Sequence, residues 1–154
     1  MPIDQTKVDS LIAELGQHGL DKLNPSESQL RNLLANDLGG PLQFINMLAF
    51  HDTAQYGDNS DAAPVSGEEA YNRYGAVAIQ HVMERGGTLF AMNTVEQTLI
   101  GADDGWQKII IVQYPNVDAF IDMLCTPSYQ AALHHRDAGL KATKLLVSRP
   151  LLAR

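Results

Sequence analysis

The sequence predicts an α+β fold, an antiparallel four-stranded sheet with its helices on one face. Three observations lead there. Apolar runs of strand character stand at residues 42–50, 88–93, 108–114 and 143–148. Helical periodicity fills the gap between the first and second runs and the gap between the third and fourth. A turn-forming stretch containing Gly101, Asp103, Asp104 and Gly105 joins the second run to the third. The order strand, helix, strand, strand, helix, strand is the split βαβ, or ferredoxin-like, arrangement.

Size and charge narrow the classes. A chain of 154 residues can bury a core without staples. A single cysteine, Cys125, cannot close an intramolecular disulfide, and no basic N-terminal region followed by an apolar run marks a secretory signal, so a reducing cytoplasm is the expected location. No stretch approaches the roughly 20 apolar residues of a membrane span. The net charge of -7, from 18 acids and 11 bases, argues against a nucleic-acid partner, which needs clustered Lys and Arg.

Residues 1–40 are expected to form a helical extension and residues 41–154 the sheet domain. In the extension, Val8, Leu11, Ile12 and Leu15 share a helix face, and Gly16 and Gly19 end that run. A second helix is expected from Asn24 as N-cap and Pro25 in the first turn, with Leu30, Leu33 and Leu34 on one side. Gly39, Gly40 and Pro41 close the extension.

Leu42 to Phe50 reads as a strand in which Phe44, Asn46, Leu48 and Phe50 share one face, so Asn46 is a lone polar group among large apolar ones. Residues 52–65 lack periodicity and read as a mobile loop, a candidate lid. Ser66 and Glu69 form a capping box for a helix reaching about Arg85, which Gly86 and Gly87 stop. Thr88 to Asn93 is a strand, and Val95 to Ile100 is either another short strand or its continuation past a bulge. Asn116 caps a helix after the strand at Lys108 to Tyr114, Pro127 restarts it, Gly139 breaks it, and Thr143 to Ser148 is the last strand.

Neither face of the Ile109 to Tyr114 strand is polar enough for water, so something must cover the face away from the helices. A second copy of the chain is the economical answer, and the helical extension is the alternative.

From Gly67 onward the chain resembles the DUF1330 family, within the dimeric α/β barrel superfamily. The resemblance rests on the order and spacing of Tyr71 to Gly75 (YNRYG), the Gly86 and Gly87 pair before a strand, Ile109 to Tyr114, and Pro127 to Gln130 (PSYQ) followed by Arg136. Upstream, INMLAFHD is similar to extended members whose strand ends in basic residues; Ala49 and His51 depart from that pattern. The resemblance implies a subunit whose sheets pair face to face in a homodimer. It implies no particular reaction.

The expected function is small-molecule binding in a pocket between sheet and helices. Two readings are open: a cofactor-free enzyme of oxygenase, isomerase or cyclase type acting on a modest, partly apolar substrate, and a non-catalytic ligand-binding or stress-related module. On the enzyme reading, His51 at the strand end moves a proton, while Tyr74 and His81, seven residues apart on one helix line, polarise the substrate. Asn46, Arg85 and Arg136, together with Tyr129 of the PSYQ motif, bind it. Solvated or packing roles are the alternatives for each. His134 and His135 point about 100° apart and make a poor metal pair. No dinucleotide fingerprint or P-loop is present, so no metal and no cofactor are expected.

Overall fold

A computed structural model describes residues 5–17, 23–57 and 63–152. In chain order the elements are α1 (Gln5–Gln17), α2 (Glu27–Ala35), β1 (Leu42–Phe50), α3 (Gly67–Glu84), β2 (Thr88–Thr94), β3 (Lys108–Tyr114), α4 (Val117–Leu124), α5 (Pro127–Gln130), α6 (Leu133–Gly139) and β4 (Leu140–Ser148). The strands lie in the order β2-β3-β1-β4, and every neighbouring pair is antiparallel. This is the ferredoxin-like arrangement that the element order predicts.

Side-chain parity sets the two faces of the sheet. Leu42, Phe44, Leu48 and Phe50 are buried against Tyr71, Tyr74 and Val82 of α3 and Phe120, Ile121 and Leu124 of α4, all in one core. The other face carries Ile45 opposite Ile111 and Leu146, and Met47 opposite Ile109. Those side chains are only half-buried, and Leu146 is 45% exposed.

Local chemistry explains the helix starts. Ser66 Oγ accepts the Glu69 N–H at 3.0 Å, and Asn116 Oδ1 accepts that of Ala119 at 2.8 Å. The second helix begins later than its sequence suggests. Ser26, not Asn24, is the N-cap, because Ser26 and Gln29 form a reciprocal capping box at 3.0 and 3.1 Å. Gly16 does not end α1, which continues to Gln17. Gly19, the Leu15 side chain and residues 58–62 of the long loop lie outside the described residues.

Other boundaries also shift. Val95 to Ile100 forms no strand: β2 is already bulged between Leu89 and Ala91, and its pairing ends where Thr94 meets Lys108, the first residue of β3. Leu99 and Ile100 consequently project, 81% and 90% exposed. β4 starts at Leu140, directly after Gly139, because Phe50 pairs with Leu140 across a bulge in β4 at Lys141.

The helical extension packs on the helix side, not on the bare sheet face. Leu11 and Leu30 belong to the central core, Lys7 lies 3.6 Å from Asp122 of α4, and Gln130 of α5 donates to Glu14 at 2.6 Å. One of the two expected covers for the bare face is therefore engaged elsewhere.

A glycine junction fixes the position of α3 against α6. A Cβ on Gly139 would stand 2.3 Å from the Gly67 carbonyl oxygen, and one on Gly67 would stand 2.2 Å from that of His51. Through this close approach the His51 N–H donates to Gly139 O at 2.9 Å and the Gly67 N–H to His51 O at 3.0 Å. The expected lid is tied at its described ends, since the Ala54 N–H donates to Val65 O and the Gln55 N–H to Ala138 O. No helix among the described residues is long and apolar enough to cross a membrane.

Candidate functional site

Four elements aim polar groups at one cavity on the helix side of the sheet. β1 supplies Asn46, α3 Tyr74, α5 Tyr129 and α6 Arg136, and Phe44, Tyr114, Phe120 and Leu145 complete most of the wall around about 70 Å³. Phe44, Tyr114 and Phe120 pack on one another with ring centroids 4.6 to 5.4 Å apart, a rigid apolar floor. Asn46 stands there because strand parity puts it between Phe44 and Leu48, and register puts it opposite Ile110 and Leu145.

The cavity opens into a wider groove of about 390 Å³ running between α2 and β4. Both are lined by Asn24, Pro25, Phe44, Phe120, Arg136 and Leu145, so they are two parts of one space. Beyond those shared residues the groove adds mainly apolar side chains, Leu30 and Leu33 from α2 and Val147 from β4, with Gln29 and Lys144 the longest polar ones. A volume of this order is that of ordinary small-molecule sites.

The polar groups are only partly used within the protein. Asn46 donates one amide hydrogen to the Ile110 carbonyl at 3.1 Å. The Tyr74 and Tyr129 hydroxyls bond to each other at 2.6 Å. Burial pushes the Tyr129 phenol well above its ordinary range, reinforced by Tyr74 and opposed by the charge of Arg136. Tyr71 and Tyr114 are raised in the same way, by burial first and then by neighbouring tyrosines. No ion pair joins Arg136 to a carboxylate among the described residues.

The other expected site residues lie elsewhere. His51 sits where β1 leaves the sheet, its backbone held by Gly67 and Gly139, and it does not line the cavity. His81 packs edge-on against the far side of Tyr129, centroids 6.1 Å apart, and its Nε2 meets Ser128 Oγ at 3.1 Å. Arg85 binds Asp122 at 2.9 Å, Thr126 at 2.8 Å and the His81 carbonyl at 3.0 Å, which ties α3 to α4 and leaves the guanidinium outside the cavity. Seven residues do put Tyr74 and His81 on one line of α3, but α5 ends that line by inserting Tyr129 between His81 and the cavity.

The pair of His81 and Ser128 has the residue types of an activated nucleophile. No carboxylate is hydrogen-bonded to the His81 Nδ1 among the described residues: Arg85 Nη1 stands 3.3 Å from that nitrogen and Glu84 at 4.0 Å, so the orienting acceptor of a nucleophile triad is missing.

Sequence reasoning did not see a second cluster on the outer side of α6. Tyr56 OH bonds His135 Nδ1 at 2.6 Å, Arg73 Nη1 donates to the same hydroxyl at 3.3 Å, and His134 stacks on His135 at 3.9 Å. Burial, then His134, then Arg73 hold the His135 imidazole below its ordinary range. The His134 Nδ1 meets the Ala131 carbonyl, and no group of three or more potential metal ligands exists among the described residues. Cys125 is half-buried, and its thiol is raised mainly by burial.

Residues 60–150 match the domain of unknown function DUF1330. A structure of RPA0582, a protein of unknown function from Rhodopseudomonas palustris, is 30% identical, with 85% of this chain and 98% of that one covered at a TM-score of 0.77. The methylated form of RPA0582 gives 30% identity, 84% and 95% coverage and a TM-score of 0.76. No curated protein matches. With more than half of its length matched, and a full-length structural relative at 30% identity, the chain belongs to the DUF1330 family.

Proposed function

We propose that this chain is a small-molecule-binding protein that works as a homodimer and holds a modest, partly apolar ligand between its sheet and helices. The observation that carries this reading is the convergence of Asn46, Tyr74, Tyr129 and Arg136, from four separate elements, on one cavity continuous with an apolar groove. Of the two functional classes that the sequence leaves open, the binding module gains. Proton transfer needs a group that titrates near the working pH, and the two histidines of the enzyme reading lie outside the cavity lining. What remains inside are phenols, the amides of Asn24 and Asn46, and a guanidinium, which orient and polarise. Cofactor-free catalysis would have to act through the tyrosine pair alone.

Assembly completes the proposal. The bare face presents Ile45, Met47, Ile109, Ile111 and Leu146 as an apolar patch, with Gln43, Gln113 and Ser148 at one end and Lys144 opposite Met47 and Asn93 opposite Ile109 at the other. A second copy placed face to face would remove it from water, in an interface on the order of 2,000 Å² if the dimer is obligate. Light scattering at micromolar concentration is expected to give a dimer, and Ile111→Asp a monomer. A wild-type monomer would end the dimer proposal.

A neutral, environment-sensitive naphthylamine dye tests the site. It is expected to brighten on the wild type and on Ile111→Asp, and to stay dark on Leu145→Trp, whose ring fills the junction of cavity and groove. Equal brightening on Leu145→Trp would place the dye elsewhere and sink the reading.

A further inference from the structure

We infer that the groove takes a monocarboxylate with an apolar tail, its carboxylate on Arg136 and its tail lying between α2 and β4. This rests on the groove being the ligand site, and it adds the chemical class of the ligand. Three observations carry it.

The first is a surplus of donors. A bonded pair of hydroxyls uses one of its two protons, so the Tyr74–Tyr129 pair keeps one to offer. Asn46 commits one of its two amide hydrogens to Ile110 and keeps the other. Arg136, with five N–H donors, has no carboxylate partner among the described residues. A ligand group that satisfies these free donors must accept hydrogen bonds. An ionised carboxylate does so, and its two oxygens match the guanidinium fork.

The second is the charge of the wall. The chain carries 18 acids against 11 bases, yet among the described residues no Asp or Glu lines the cavity or the groove. Excluding acids from a half-buried site around a single arginine favours one negative charge there, because a like charge nearby would be weakly screened. At the narrow end one guanidinium with neutral helpers balances a monoanion, and Lys144, the other cation among the described lining residues, stands along the wider part.

The third is polarity that changes along the space. The four donors stand at the narrow end of about 70 Å³, whereas Leu30, Leu33, Phe120, Leu145 and Val147 line the wider part of about 390 Å³. Head and tail of the ligand are thus separated by the wall itself. Apolar contact supplies most of the affinity and the arginine supplies the direction.

Displacement of the naphthylamine dye by decanoate and by decanamide tests this. Decanoate is expected to displace it, with Arg136→Met weakening decanoate about tenfold or more and decanamide little, as the loss of a charge-assisted hydrogen bond dictates. Arg136→Lys, which keeps the charge but loses the fork, is expected to fall between and guards against a folding defect in the methionine variant. If decanamide displaces the dye as well as decanoate does, and Arg136→Met changes neither, the carboxylate class is overturned while the site stands. If the dye binds and neither compound displaces it, the class is again overturned. If the dye itself fails to bind, site and class fall together.

Discussion

Two tyrosine-centred clusters stand on opposite sides of the contact between α3 and α6. On the inner side Tyr74 and Tyr129 are buried, share a 2.6 Å hydrogen bond and have Arg136 as their charged neighbour. On the outer side Tyr56 makes a bond of the same length to His135, with Arg73 and His134 alongside, and every member reaches solvent. The same two helices feed both clusters, and His135 and Arg136 are consecutive residues about 100° apart on α6. What separates them is protonation chemistry. Burial holds the Tyr129 phenol well above its ordinary range, whereas burial, His134 and Arg73 hold the His135 imidazole below its own. A proton-transferring enzyme would need the reverse arrangement, so the contrast favours binding.

The largest expected effect comes from moving the partition itself. Gly139→Ala sets a Cβ against the Gly67 carbonyl and the Tyr71 nitrogen, at 2.3 and 2.9 Å, and backbone atoms cannot step aside as a side-chain tip can. Urea titration is expected to show a loss of about 3 kcal/mol, the upper range for overpacking, together with weakened ligand binding. Gly75→Ala, on α3 with nothing within 4 Å, is the contrasting control. It is expected to gain about 0.5–1 kcal/mol from helix propensity. Equal effects at the two sites would show that the junction does not hold the two clusters in place.

How much of this was legible in the sequence divides along the same line. Alternation in β1 and the apolar stripes of α3 and α4 report burial, so the order of elements and the inward face of Asn46 could be read directly. Tyr129 and Arg136 came with the family pattern. The position of His81 could not be read, because it depends on α5 placing Tyr129 between that ring and the cavity, a contact 48 residues away in sequence. The groove was equally hidden. The leucines of α2 and the alternation of Leu145 and Val147 are visible as separate stripes, but only packing puts them on opposite walls of one space. The outer cluster joins Tyr56 to His135 across 79 residues and has no local signature at all.

An intermediate effect is expected from breaking the inner cluster. Tyr129→Phe leaves the buried Tyr74 hydroxyl without its partner, which costs about 1–3 kcal/mol at neutral pH. It also changes the alkaline limb. A phenol whose folded pKa is raised binds its proton where the unfolded one, near about 10, has released it, so its stabilisation is complete below that value and is lost as pH rises through it. Tyr71, Tyr114 and Tyr129 all contribute in this direction. The wild type is expected to lose stability steeply above about pH 10, and Tyr129→Phe less steeply, by chemical denaturation at a series of pH values. Identical slopes would mean that Tyr129 ionises as freely in the folded state as in the unfolded one.

The smallest effect belongs to the outer cluster and lies on the acid side. His135 is held below its ordinary range by burial first, then by His134 on its own helix and Arg73 on α3. Tyr56, from the loop after β1, reinforces the neutral form. Arg73 donates to the Tyr56 oxygen, so that hydroxyl gives its proton to Nδ1, which can accept only while the ring is uncharged. In the unfolded chain the imidazole titrates near about 6.5. Between that value and its lower folded value, the unfolded state binds a proton that the folded state refuses, so stability falls as pH drops. The contribution is complete above the unfolded value and is lost on acidification through it. His135→Gln keeps an acceptor for Tyr56 and removes the titration. The urea midpoint of the wild type is expected to decline from about pH 7 to pH 5, and that of His135→Gln to decline less, with His134→Gln as the control on the exposed neighbour. Parallel decline in all three would assign the acid sensitivity to carboxylates and leave Tyr56 as a packing contact only.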